Sequence, residues 1–242
     1  MLTPTRTLLC VFGLGLALSL SVGAQDEHAN DPHYVAAGFF DLHVCHWPDR
    51  PLFFMAIFST AQFAEIASVE VFDAHHKVLG ALNLQQFETT KNKLGQDKRV
   101  FISYFDVTTG APDGWYTANI TLRDGTVFTA RDLVQIQRLA LPSGFQPANH
   151  AQLGAPPSEL LWDAIPGARY FQVTIRDAWA NNQRIYRSPF LSEPHLTLPQ
   201  DLLRRGGSYT WRVHARDVNE DKELGDFNLG ALGPVLDFSV AP

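Results

Sequence analysis

From Phe39 onward the chain breaks into short apolar runs separated by turn residues, with almost no helical period. Residues 38–44, 52–59, 68–73, 77–82, 99–106, 115–123 and 127–134 each read as a strand. Several of them alternate with a period of two, which puts successive side chains on opposite faces. In 115–123, Tyr116, Ala118, Ile120 and Leu122 share one face and Thr117, Asn119 and Thr121 the other. Phe53, Phe54, Ile57 and Phe58 make a nearly continuous apolar run, which predicts a central strand buried on both faces or covering an interface. Asp124-Gly125 predicts a tight hairpin turn, because glycine accepts the positive φ such turns require. Ala74-His75-His76 predicts a second hairpin tip, and 62–67 is compatible with one helical turn.

Between Leu141 and Pro157 the alternation dissolves into a stretch punctuated by proline and glycine, the texture of a linker. Beyond it, residues 159–164, 170–177, 184–187, 195–198, 208–217 and 235–240 form a second set of short strands. In 170–177, Tyr170, Gln172, Thr174 and Arg176 lie on one face and Phe171, Val173 and Ile175 on the other. The pattern predicts an all-β protein with two β-sandwich domains in tandem, over residues 37–140 and 157–242, joined by a linker at 141–156.

The N-terminus has a different texture. Arg6 is followed by an uncharged apolar stretch from Leu8 to Val22, then Val22-Gly23-Ala24 and an abrupt polar turn at Gln25-Asp26-Glu27. This is the pattern of a cleaved signal peptide over residues 1–24, and the apolar stretch is short for a membrane span. The polar segment 25–36 reads as a flexible leader. The expected compartment is the bacterial periplasm or the exterior, with no membrane span left after cleavage. Removing residues 1–24 takes Cys10 with it and leaves Cys45 as the single cysteine, so each domain depends on a hydrophobic core rather than on an internal disulfide.

Composition narrows the function classes. Hydrophobic residues make up 45% of the 242, which suffices for packed cores. The formal charge is −6 and no run of lysine or arginine occurs, so the footprint of a nucleic-acid-binding protein is missing. There is no GxSxG elbow, HExxH helix or glycine-rich phosphate loop, and the expectation is a protein that is not an enzyme.

The C-terminal half resembles a known module. Trp162 with the Pro166-Gly167-Ala168 turn before Tyr170 resembles the early hairpin of a fibronectin type III domain. Leu203, Gly206, Tyr209 and the alternating run 209–215 resemble that family's corner and the strand after it. The resemblance covers residues 157–242. It implies that Trp162 is a core tryptophan and that the Tyr209 hydroxyl bonds back to nearby backbone. The family's pattern is exceeded at 217–233, a long polar segment where a tighter turn is expected. Pro112-Asp113-Gly114-Trp115-Tyr116 is compatible with a corner of the same kind, so the first half resembles an immunoglobulin-like sandwich. Such folds imply binding, adaptor or spacer roles.

Two sets of residues are candidates for a site. Trp47 and Trp179 lie beside turn residues and are expected to be exposed, where a tryptophan can stack on a sugar or anchor a protein. With Asn181, Asn182 and Phe227, the last inside the 217–233 segment, they form the expected contact set for a protein or glycan partner of the cell envelope. The alternative is a copper or zinc site. His43 and Cys45 point the same way on an extended chain, and His46, His75 and His76 are the other candidate ligands, since thiolate and imidazole both suit these metals. Cys45 also reads as a buried inert thiol, or as an exposed one used to link two chains. Where the protein acts by contact alone, no cofactor is expected.

Overall fold

Nearly every predicted run becomes a strand. The computed structural model describes residues 30–92, 94–217 and 227–242, so the expected signal peptide lies outside the described residues. The first half contributes β1 (Tyr34–Val35), β2 (Gly38–His46), β3 (Phe53–Thr60), β4 (Ile66–Phe72), β5 (Val78–Ala81), β6 (Phe87–Lys91), β7 (Asp97–Asp106), β8 (Gly114–Leu122) and β9 (Val127–Val134). The second contributes β10 (Ala151–Leu153), β11 (Glu159–Leu161), β12 (Tyr170–Asp177), β13 (Gln183–Arg187), β14 (His195–Thr197), β15 (Ser208–Arg216), β16 (Leu229–Leu232) and β17 (Leu236–Val240). The described residues contain no helix, and none is therefore long and apolar enough to cross a membrane.

Each half closes one layer on another. In the first, the sheet β2-β3-β7-β6 covers the four-stranded sheet β5-β4-β8-β9, with Phe54 meeting Tyr116 across the gap at a ring separation of 5.3 Å. β3 is the expected central strand: Phe53, Phe54, Ile57 and Phe58 are all buried. In the second half the two-stranded sheet β11-β14 lies under β12 and its neighbours, and Trp162 packs edge-on against Phe171 at 5.4 Å. Both tyrosine corners are formed. Tyr209 Oη accepts from the backbone N–H of Arg204 at 2.9 Å, and Tyr116 Oη donates to the carbonyl of Pro112 at 2.8 Å. The Asp124-Gly125 and His75-His76 tips are both hairpin turns, the latter with His76 at φ 61°.

The halves share one sheet. β16 pairs antiparallel with the end of β15 and parallel with β2, where Leu229, Gly230 and Ala231 stand opposite Val44, Cys45 and His46. An 11-stranded sheet therefore runs from one half into the other. β16 falls inside the polar 217–233 segment, whose residues 218–226 lie outside the described ones. A second difference from expectation concerns residues 31–36 of the flexible leader: β1 pairs with the start of β2, and His33 is held between two carboxylates. The reason is an unfilled edge. The N–H groups of Phe40, Leu42 and Val44 along the outer edge of β2 go to the carbonyl of His33, the Asp132 carboxylate and the carbonyl of Asn228. Buried backbone donors need partners, and the leader segment supplies one.

Candidate functional site: an arginine-lined cleft

β15 alternates cleanly. Tyr209, Trp211, Val213 and Ala215 face the core, which leaves Thr210, Arg212, His214 and Arg216 on the other face. The register with β12 sets Gln172 beside His214, Thr174 beside Arg212 and Arg176 beside Thr210. On its other side β12 pairs with β13, placing Arg187 against Thr174 and Arg184 against Arg176. Arg184 and Arg187 are three apart, so strict alternation would put them on opposite faces. A β-bulge between Ile175 and Arg176 shifts the register and brings both to the same face.

The result is an open cleft of about 590 Å³ whose sides carry Arg176, Arg184, Arg187, Arg212 and Arg216 and whose floor is Gln172, Thr174, Thr210 and His214. Among the described residues no carboxylate lines it. Among the described residues Arg176, Arg184, Arg187 and Arg212 form no salt bridge. Two of the guanidiniums are held by neutral groups: Arg187 donates to Gln172 Oε1 at 2.7 Å, and Arg176 donates to the carbonyl of Asn182 at 2.9 Å. Like charges opposite one another across a strand pair repel. The consequence shows in the two more sheltered groups. Burial and the nearby Arg176 hold Arg212 below the usual arginine range, and burial with Arg187 brings Arg216 down to about 10. Burial and the neighbouring Arg216 also hold His214 well below the usual histidine range, so it is a neutral imidazole at pH 7. Chemically the described lining is rich in hydrogen-bond donors and carries positive charge, on a chain whose net charge is −6.

The connection from β12 to β13 forms one end of the cleft. Ala180-Asn181-Asn182-Gln183 is a tight turn closed by the Gln183 N–H to Ala180 carbonyl bond at 3.0 Å, with Asn181 and Asn182 at φ 52° and 57°. Positive φ at both central residues is the type I′ arrangement, which asparagine tolerates. Asn182 lines the cleft, and its Oδ1 accepts from Thr210 Oγ1 at 3.0 Å. Trp179 precedes the turn and is 69% exposed.

The other sequence candidates fall elsewhere. Trp47 is half-buried, edge-on against Phe53 at 5.0 Å, with Arg50 over both rings. Phe227 is a correction, because it faces inward. It stacks on His43 at 3.7 Å, meets His214 edge-on at 5.2 Å and is 2% exposed, since it fills the gap where β16 joins the halves. His43 and Cys45 do share a face of β2 and are both fully buried. Burial, with the charge of Asp41, pushes the Cys45 thiol up to about 12, so it is not a thiolate, and its burial removes it from any link between chains. His46 bonds through Nδ1 to the carbonyl of Leu139 at 2.8 Å, and His75 and His76 are exposed at the β4–β5 tip. Among the described residues no three of these five bring ligand atoms within 4.8 Å of one another.

The arginines of the cleft were passed over in the sequence because no two are adjacent. A signal was present: Arg212, His214 and Arg216 recur at a spacing of two, a basic stripe on one face of a strand.

No protein-family model matches the chain, and no curated protein matches it. Solved structures similar to it include fibronectin and immunoglobulin domains. The FN1–FN3 domains of chicken CNTN1 are 13% identical over 81% of this chain and 62% of that one, with a TM-score of 0.30. The Ig1–Ig2 domains of Dpr2, solved in complex with DIP-Theta, are 10% identical over 84% of this chain and 98% of that one, with a TM-score of 0.26. SGBP-B of the Bacteroides ovatus mixed-linkage glucan utilization locus, solved with a heptasaccharide, is 13% identical over 81% of this chain and 43% of that one, with a TM-score of 0.24. None of these likenesses assigns a role to the cleft.

Proposed function

We propose that this chain is a non-catalytic binding module of the bacterial cell envelope that holds an acidic glycan in the arginine-lined cleft. The observation that carries the reading is the convergence of arginines from three strands, with no carboxylate among the described residues that line the cleft. A guanidinium presents a planar fork of donors that matches a carboxylate or a phosphate in a bidentate fashion. Thr174, Thr210 and Asn182 add the neutral hydrogen-bonding groups that sugar hydroxyls use, and exposed Trp179 offers an aromatic face beside that end. The lining supplies donors rather than a paired acid and base, which is equipment for binding. Export rests on the leader pattern of residues 1–24.

The test is binding to polygalacturonate, measured by calorimetry against a neutral glucan. Binding to the acidic polymer alone is expected, weakening by about tenfold or more as salt rises from about 50 to about 500 mM. An Arg187→Ala, Arg212→Ala double variant is expected to lose most of that affinity while unfolding at the same temperature. Equal binding to both polymers, or affinity indifferent to the double variant, would overturn the assignment of the cleft. Capture of a poly-glutamate peptide in place of the polysaccharide would replace the glycan with an acidic protein.

A further inference from the structure

Where the folded leader meets β2 and β9, His33, Asp41 and Asp132 each bring one ligand atom into a group in which all lie within 4.8 Å of one another. We propose that these three side chains form a binding site for a divalent first-row transition cation, with zinc as the reference ion. The site is separate from the arginine-lined cleft.

The spacing is the first reason. His33 Nε2 and Asp132 Oδ1 are 3.1 Å apart. Two ligand atoms bound to zinc at about 2.0–2.2 Å and at the tetrahedral angle sit about 3.4 Å apart, a few tenths of an ångström from that separation. The donor set is the second. One imidazole and two carboxylates suit zinc or manganese, and three protein ligands leave a position for water.

The third reason is that every ligand is fixed from behind by a group outside the three. His33 Nδ1 bonds Asp31 Oδ1 at 2.7 Å, which orients the ring and leaves Nε2 for the ion. Asp132 Oδ2 accepts the Leu42 N–H at 2.7 Å. Asp41 Oδ2 is tied to His43 Nε2 at 2.5 Å. A carboxylate behind a ligating histidine is the usual outer partner in zinc sites.

The fourth reason is burial: Asp41 is 1% and Asp132 8% exposed, so both carboxyl groups face the His33 ring out of water, and a divalent cation among them would replace the solvation they have lost. Entry is from the side of Asp31, whose side chain is 35% exposed against 15% for His33.

The test uses the chain from residue 25 onward, stripped with a chelator and titrated with zinc, with native mass spectrometry for stoichiometry and cobalt(II) absorption for ligand type. One zinc per chain is expected, with a cobalt spectrum free of the intense near-ultraviolet bands of a thiolate ligand. His33→Gln and Asp41→Asn are expected to abolish stoichiometric binding, Cys45→Ser to leave it unchanged, and Asp31→Asn to weaken it by about 10–100-fold. Should the ligand variants unfold, the cobalt spectrum of the unaltered chain and the Asp31→Asn shift decide the matter. Absence of retained metal in the unaltered chain, thiolate bands, or binding that survives both ligand variants would each overturn the proposal.

Discussion

At the scale of single residues, burial decides the chemistry more than residue type does. In the sequence Cys45 is a candidate ligand because thiolate and imidazole both suit zinc or copper, and it reads equally as a buried inert thiol. Its full burial instead holds the thiol up to about 12. Two outcomes follow. The folded protein resists a thiol-specific reagent, and labelling proceeds only at the rate of unfolding, which a time course with and without urea measures. The alkaline limb of stability is set in part by the same group. In the unfolded chain the thiol ionises near 8.5, and in the folded one only near 12, so its contribution is present below the first value and lost as pH rises toward the second. Urea midpoints measured between about pH 8 and 11 should therefore fall less steeply in Cys45→Ala than in the unaltered protein. The corner tyrosines obey simpler arithmetic. Tyr209→Phe removes the acceptor for the Arg204 N–H, and the loss should be about 0.5–1.5 kcal/mol by chemical denaturation.

At the scale of elements, legibility followed the period. Strands with an uninterrupted apolar alternation, such as β8, β12 and β15, were readable because burial of one face dictates the pattern. β6, whose five residues are all exposed, was not, because backbone pairing to β7 holds it rather than an apolar face of its own; β16 was not because its four residues, though all buried, are too few to show a period inside a polar segment. Asn182, a candidate contact residue for its place beside Trp179 and turn residues, lines the cleft. The arginines beside it were illegible for a geometric reason. Their meeting depends on the registers of three strands and on one bulge, and a one-residue slip would send Arg184 to the opposite face. The turn that fixes this hairpin has its own test. Asn181→Gly should be tolerated, whereas Asn181→Val forces a β-branched residue to positive φ and should cost about 1–3 kcal/mol in a thermal or urea melt.

At the scale of the whole molecule, the linker predicted at 141–156 suggests two independent beads, yet β16 and Phe227 bind the halves into one sheet. Phe227 is the pin: His43 belongs to the first half, His214 to the second, and its ring touches both. Phe227→Ala should cost about 3–5 kcal/mol and split a single calorimetric transition into two. Gly230 has the same sensitivity, since a Cβ there would run into the Phe227 ring and lie 2.9 Å from His214 Nε2.

The parallel pairing of β16 with β2 also fixes an order of events in time. β2 comes early in the chain and β16 near its end, so Val44 waits for Leu229. A polypeptide that emerges N-terminus first has its leader and Asp132 on the start of the outer edge of β2 while the Val44–His46 end is still bare. An unpaired edge strand is a template for joining other chains. The first sandwich is therefore exposed to misassembly for as long as the second takes to arrive, and a chain stopped short of residue 229 should aggregate through that edge rather than persist as a single folded domain.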